Sequence, residues 1–439
     1  MNTEQQHAAE HPAAHRPLGL AMSLSLVIGT MVGSGIYFLP SSLAPLGWNM
    51  VLGWVISGAG ALCLAVTFRY LIDGTGAGMQ HNIERVIGEV PGFLGLFAYW
   101  ASGFTSIAAL VIAGGSIISG FLYDDAPTWV GVVAAFALLA LITAANLIGT
   151  RTAGWVQVAS VVIKLIPLVL VIGAVAWVFG GSGQVQPMAP AQVSMNSVSG
   201  AVALTLFAFL GFEAATIPVN KVDNPRRNIP IALIGGTSLV VVLYLLVSVG
   251  LVLVMPWQDI AASSSPISDG LGVLLGPVSG TLVALCILAS VTGCANGLVL
   301  IGADCTYSMA LRREMPQFFT HTNARGVPVW GVVAQVLVIA VLILANTSRG
   351  LSGMFTFMAL LTTGGVLVFY VMAVIAAAKE NRKMARWPVL VLGMIFAGFT
   401  IYGSGLETSM WVLVLLLIAM VVRWLCQRGR PLEAEASTS

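Results

Sequence analysis

Charge is what this chain has least of. Asp, Glu, Lys and Arg make up 8% of its 439 residues, while 58% are hydrophobic and mean hydropathy is +0.95. A water-soluble domain, which carries about 25% charged residues, is excluded. Cysteine is sparse and unpaired: Cys63, Cys286, Cys294, Cys305 and Cys426 lie in or at the ends of apolar runs without CxxC spacing, and read as small buried hydrophobes. Catalytic signatures are missing too. There is no HExxH, no GxSxG and no P-loop GxxxxGK(S/T), and His81 and His321 fall in polar connections. An intramembrane hydrolase has little support from this pattern and an ATP-driven pump has none. No cofactor, metal or nucleic-acid signature is present, and no enzyme is expected.

What the chain does have is length in its apolar runs. A spanning helix needs roughly 20 mainly apolar residues. Twelve candidates meet this: 18-39, 45-67, 91-122, 127-148, 154-179, 197-220, 230-254, 277-310, 328-346, 351-378, 387-404 and 408-426. The runs are continuous rather than alternating, which excludes a β-barrel and predicts an all-α integral membrane protein. No small-residue cleavage site follows a short apolar core, so the first run is expected to stay as a span. In the tail, 1-17, His7, His11 and His15 have helical spacing, but Pro12 argues against the helix that metal binding would need. Lys164 lies inside the fifth run and Arg349 between the ninth and tenth; every other Lys and Arg falls in the N-terminal tail, the even-numbered connections or the C-terminal end. That bias predicts a multi-pass protein of the cell membrane with both termini cytoplasmic. Asp124, Asp125, Asp259, Asp269 and Glu407 fall on the opposite side.

Two of the spans are interrupted, and in corresponding ways. The first reads GTMVGSGIYFLP and the sixth FAFLGFEAATIP; Gly33 precedes Pro40 by the interval at which Gly211 precedes Pro218. Five spans separate the breaks, an odd number, so the halves are inverted. Glycine-interrupted helices at matching places in inverted halves point to a transporter's substrate site near the bilayer midplane. Glycine also serves plain helix packing in membranes, but the sixth break carries an intramembrane carboxylate, Glu213. The expected organisation is a cytoplasmic tail (1-17), a ten-helix core built as a five-plus-five inverted repeat (18-378), helices 11-12 (379-426) and a C-terminal tail (427-439).

A broken helix exposes N–H groups where its second half begins and C=O groups where its first half ends. Around Gly33, Ser34 and Gly35 those N–H groups and the positive helix end can hold a carboxylate, while carbonyls around Ala208 to Gly211 can hold an ammonium. A charge in hydrocarbon costs at least ~2.5 kcal/mol, so Glu213 and Lys164 are expected to face a cavity or protein. Glu213 can act as a proton site or as a hydrogen-bonding partner of the unwound backbone. Lys164, about ten residues into its span, is too deep to snorkel easily; it can act as a fixed cation or as a proton site. Asp304, beside Arg312 and Arg313, reads as a structural residue at a helix end. Lys221, Asp223, Arg226 and Arg227 read as a topology-setting connection, with a gating salt-bridge network as the alternative.

With those motifs in hand, the chain resembles the amino acid-polyamine-organocation superfamily, and most closely its basic amino acid and polyamine antiporters. The resemblance is carried by VGSGIYFLPSSLA in the first span, LTLFAFLGFEAA and VDNPRRNIPIALIGG around the sixth, ASSSPISDG before the eighth and GSGLETSMW near the twelfth. It implies twelve helices with the leucine-transporter type of inverted repeat, and proton-coupled transport or exchange of amino acids or amines. It places Thr30, Met31, Gly33, Ser34 and Gly35 around the substrate backbone and Phe207, Ala208, Leu210 and Glu213 opposite. Ser106 of the third span and Leu298 of the eighth complete the set, and Lys164 takes the place of a sodium ion in sodium-coupled relatives. The arginine-antiporter pattern has tryptophans where this chain has Phe207 and Leu298. Losing one ring and shrinking the other weakens the case for a cationic substrate and suits a neutral, bulky or branched amino acid. Further partners implied are protons, membrane lipid and a second copy of the chain. The readings left open are an amino acid transporter, a basic amino acid or polyamine antiporter, and a non-transporting membrane sensor with the same fold.

Overall fold

Apolar runs separated by Gly, Pro and charged punctuation become helices, because in hydrocarbon each backbone N–H and C=O must be satisfied within its own segment. The computed structural model describes residues 19–73, 79–123, 126–148, 154–181, 185–216, 222–323 and 326–428. The elements in order are α1 (Leu20–Met31), α2 (Ser34–Leu43), α3 (Trp48–Asp73), α4 (Met79–Ile87), α5 (Glu89–Leu122), α6 (Thr128–Ile148) and α7 (Gly154–Gly180). They continue with α8 (Met195–Phe209), α9 (Pro225–Pro230), α10 (Gly236–Val254), α11 (Trp257–Ala262), α12 (Pro266–Leu275) and α13 (Pro277–Leu311). The last four are α14 (Val329–Ala345), α15 (Gly350–Glu380), α16 (Trp387–Gly403) and α17 (Gly405–Gln427). Among the described residues ten helical segments are long and apolar enough to cross a membrane, and α8 and α14 are shorter apolar helices. The three histidines of the tail, Pro218 and Lys221 lie outside the described residues.

Local chemistry sets several helix starts. The Ser194 hydroxyl accepts the Ser197 N–H at 3.1 Å and caps α8, and prolines stand in the first turn of α9, α12, α13 and α16, where a missing N–H costs nothing. The sixth apolar run, 197-220, is not one helix. Helix α8 stops at Phe209, and after Leu210 and Gly211 the chain resumes as a 3-10 turn, Phe212–Thr216.

Helices pack closely through small residues, as membrane helices do without a hydrophobic drive between them. Between α3 and α8, a Cβ at Gly53 would lie 2.7 Å from the Ala201 Cβ, and Ser57 and Thr205 share a hydrogen bond of 2.7 Å. Between α5 and α15, Thr105 and Thr362 do the same at 2.7 Å. Most ion pairs gather at one end of the bundle: Arg312 with Glu84 at 2.7 Å, Arg85 with Glu380 at 2.7 Å, and Arg423 with Glu314 at 3.2 Å and Glu89 at 3.3 Å. At the other end Arg349 meets Glu407. Asp223, Arg226 and Arg227 form no ion pair among the described residues, so the charged connection after the sixth run is not a salt-bridge network there.

The Arg423 to Glu314 pair is the buried one, with side chains 7% and 6% exposed. Burial pushes the Glu314 carboxyl above the ordinary range, and Arg312 and Arg423 pull it back. Arg423 ties α17 to the ends of α5 and α13. Removing one partner of a buried pair strands the other charge, at about 3–5 kcal/mol, whereas replacing both by apolar residues is often neutral. Arg423→Ala should therefore lower the apparent Tm of the detergent-purified protein, followed by tryptophan fluorescence, much more than the double substitution Arg423→Met with Glu314→Leu.

Candidate functional site

The site is built around the gap between α1 and α2. Helix α1 ends at Met31, and Val32 and Gly33 carry the chain across before α2 restarts at Ser34. The carbonyls stranded at the end of α1 are met by side chains. Lys164, on α7 and 3% exposed, donates from Nζ to the Gly29 carbonyl at 2.7 Å; Tyr244, on α10, donates to the Met31 carbonyl at 2.8 Å. An ammonium at a helix C-terminus is where the macrodipole favours a cation. Lys164 Nζ also lies 2.8 Å from Cys294 Sγ on α13, and the Lys164 carbonyl accepts the Tyr37 hydroxyl of α2 at 2.5 Å. Lys164 thus joins both halves of the broken helix to α7 and α13 instead of reaching toward a membrane surface.

At the start of α2 the position is reversed. The N-cap residue, Gly33, offers no side-chain cap to the first-turn amides, and the Ser34 hydroxyl is buried without a hydrogen-bond partner. Uncapped N–H groups, an orphan hydroxyl and the positive helix end are donors of the kind that can hold an anion. Directly across stands the end of α8. A Cβ on Gly35 would lie 2.7 Å from the Ala208 Cα, so the two interrupted segments cross in backbone contact and only glycine fits. Gly211 holds φ +105°, and its carbonyl lies 2.8 Å from the Thr30 hydroxyl, which divides its proton between that oxygen and the Leu26 carbonyl. The second interruption therefore closes on the first through Thr30.

Glu213, 3% exposed, is spanned by three donors. Tyr99 of α5 donates to Oε1 at 3.0 Å; Tyr370 of α15 and the Gly211 N–H donate to Oε2 at 2.8 and 3.1 Å. Toward the far end of α15, Phe355 packs on Phe207 at 5.9 Å and on Phe38 at 5.5 Å. Phe355 and Tyr370 are separated along α15 by about 22 Å, from fifteen residues at about 1.5 Å each. The break pair is thus flanked by an aromatic trio on one side and a carboxylate clamp on the other. Beyond the trio, Ser41, Ser116, Ser263, Ser264 and Ser352 line a small pocket over the rings of Phe38 and Phe355.

The remaining expected residues are placed by helical register. Tyr99, Gly103, Ser106 and Leu110 share one face of α5; Tyr99 reaches Glu213, and a Cβ on Gly33 would meet the Leu110 side chain at 3.9 Å. Half-buried Ser106 falls between them, one residue from the Thr105 that bonds α15. Leu298 lies one turn past Cys294 on α13, half-buried like Leu210. Met31 is 2% exposed and turned into the core. Asp304 is exposed near the end of α13, apart from these contacts. Tyr99, Tyr370, Tyr244 and Cys294 escape sequence reasoning. A polar aromatic or a thiol inside an apolar run is unremarkable until its partner is known.

A family profile described as amino acid permease matches residues 18–424. The chain belongs to that family. Among its relatives, the serine/threonine exchanger SteT of Bacillus subtilis is 28% identical over 419 residues, covering 90% of this chain and 92% of that protein. The putrescine transporter PotE of Escherichia coli is 26% identical over 416 residues (91% and 93% covered), and the cadaverine/lysine antiporter of Escherichia coli 27% over 428 (92% and 94%). The permease is a multi-pass membrane protein, and its apolar helices fit that membership. Two substitutions probe the crossing of its broken segments. Gly35→Ala forces a methyl against the Ala208 backbone and Gly211→Ala forces a side chain into φ +105°; each should cost roughly 1–3 kcal/mol. At Gly33 a Cβ would meet only Cys294 and Leu110 side chains at 3.7 and 3.9 Å. Thermal scans of the purified variants should therefore rank Gly33→Ala as the mildest of the three.

Proposed function

We propose that this permease carries a neutral amino acid across the cytoplasmic membrane by alternating access, through exchange or proton coupling. The observation that carries the reading is the backbone crossing at Gly35 and Ala208, with uncapped α2 amides and an unpartnered Ser34 hydroxyl beside the carbonyl end of α8. Such a crossing offers donors to a carboxylate and acceptors to an ammonium, which every α-amino acid carries at fixed separation. Met31, Phe207, Leu210 and Leu298 supply apolar surface for a side chain, with Thr30, Ala208 and Ser106 at its margins. In this reading the α1 to α2 pair and the α8 segment are broken helices one and six of a twelve-span, five-plus-five inverted repeat. The end bearing most of the arginines, with both termini, faces the cytoplasm.

Lys164 supports proton coupling or exchange over sodium coupling. Its ammonium already sits on the Gly29 carbonyl, where a metal cation would be repelled. Glu213 is the coupling and gating candidate. An ionised carboxylate only accepts hydrogen bonds, and here it accepts three; adding a proton turns one oxygen into a donor, so that a tyrosine hydroxyl must turn from donor to acceptor or the Gly211 N–H meets a weaker acceptor. One protonation thus loosens a joint between α5, α15 and the second break. The aromatic trio closes the opposite, outer side.

A second reading, a basic amino acid or polyamine antiporter, is favoured by the similarity to PotE and to the cadaverine/lysine antiporter. A distal ammonium would need a free acid or aromatic faces; Glu213 is already engaged by three donors, and Phe207 is the one ring among the residues assigned to the side chain. Counterflow into proteoliposomes loaded with a panel of labelled substrates separates the readings. Neutral amino acids should drive exchange; exchange by lysine, ornithine or putrescine alone would establish the second, and none at all a sensor. With the active substrate, Glu213→Gln should flatten the pH profile while Lys164→Ala abolishes uptake. Normal transport and pH response in both variants would remove Glu213 and Lys164 from coupling.

A further inference from the structure

Between α15 and α16 the chain makes a short connection that the transport site does not use. Lys379, Arg382, Lys383 and Arg386 fall within Lys379–Arg386, with Glu380 as the only acid among them. That acid is spent on Arg85 at 2.7 Å, and Lys379 donates to the Val86 carbonyl at 3.0 Å. Arg382 and Lys383 are exposed and make no ion pair among the described residues. Arg386 lies over the Tyr70 ring of α3 at 4.3 Å, which keeps its charge at the same edge without neutralising it.

Two further features set this connection apart from a merely topogenic loop. Met384 and Trp387 stand among the cations 84% and 42% exposed, in a connection joining two membrane-length helices. An exposed thioether and indole at that level enter the interfacial region, where tryptophan is at home. Asn381, whose Oδ1 accepts the Lys383 N–H at 2.9 Å and so shapes the turn, has its Nδ2 buried without a partner. The exposed groups left without acceptors here are both cationic donors, an ammonium and a guanidinium. Their common complement is a phosphate oxygen, and the flanking apolar side chains require that the phosphate be carried by a lipid.

We infer that the α15 to α16 connection is a headgroup site for an anionic phospholipid of the adjoining leaflet, with the exposed Arg382 and Lys383 on the phosphate and Met384 and Trp387 among the acyl chains. Four basic residues immediately beyond an apolar helix are the pattern for anionic lipid recognition. The full chain, reconstituted in nanodiscs of equimolar phosphatidylcholine and phosphatidylglycerol and analysed by native mass spectrometry, should retain phosphatidylglycerol preferentially. At roughly 5-fold per cation, Arg382→Gln with Lys383→Gln should lower that preference about 25-fold, whereas Arg349→Gln at the opposite end should leave it unchanged. Asn381→Asp keeps the acceptor for the Lys383 N–H and sets a negative charge beside the Arg382 and Lys383 cations, so it should lower the preference. Equal retention by wild type, the double variant and Asn381→Asp overturns the site.

Discussion

A backbone interrupted at membrane depth must find partners within the protein, because hydrocarbon supplies none. Here the partners are specific. The carbonyls ending α1 are taken by the Lys164 ammonium and the Tyr244 hydroxyl, and the Gly211 carbonyl by Thr30. What the protein leaves unpartnered is the other end of the gap, the α2 amides and the Ser34 hydroxyl. The protein thus satisfies the carbonyl half of the break and leaves donors without partners at the other half. Lys164 draws its importance from this arrangement, since it places an ammonium at a helix end and joins α7, α13 and both pieces of the broken helix through three contacts.

The two sides of the break are held by different physics. The trio of Phe38, Phe207 and Phe355 is apolar and non-directional, so it can separate without leaving unsatisfied groups. The clamp on Glu213 is directional, and its three donors come from α5, α15 and the turn after α8. Oε1 serves α5 alone, while Oε2 serves both α15 and the turn after α8. The second ring of interactions, with Arg423 and Glu314 at its centre, holds α17 to the bundle end nearest the clamp.

How much of this was legible in the residues follows the range of each interaction. Apolar runs report burial in lipid, a property of neighbours in sequence, so the helices lie within a few residues of expectation except where α8 stops early at Phe209. Gly33, Gly211, Glu213 and Lys164 stood out because glycine and charge are costly in an apolar segment and need a reason to be there. Tyr99 and Tyr370 did not stand out. Their hydroxyls matter through a carboxylate more than a hundred positions away, and an isolated tyrosine in a membrane helix has many uses. Cys294, read as a small hydrophobe, proves to be the neighbour of an ammonium.

By itself the sequence determined a polytopic helical membrane protein with two glycine breaks and two embedded charges, because hydrophobicity and backbone permissiveness are properties of single residues and short windows. Only the tertiary structure decided which groups meet: that Gly35 and Ala208 touch, that Lys164 caps α1 instead of lining open space, that Glu213 is shared between two tyrosines, and that Asn381 is left with a buried donor. These are contacts between helices far apart in the chain. They depend on crossing positions and rotation about each axis, which small residues set through packing and which no local pattern encodes.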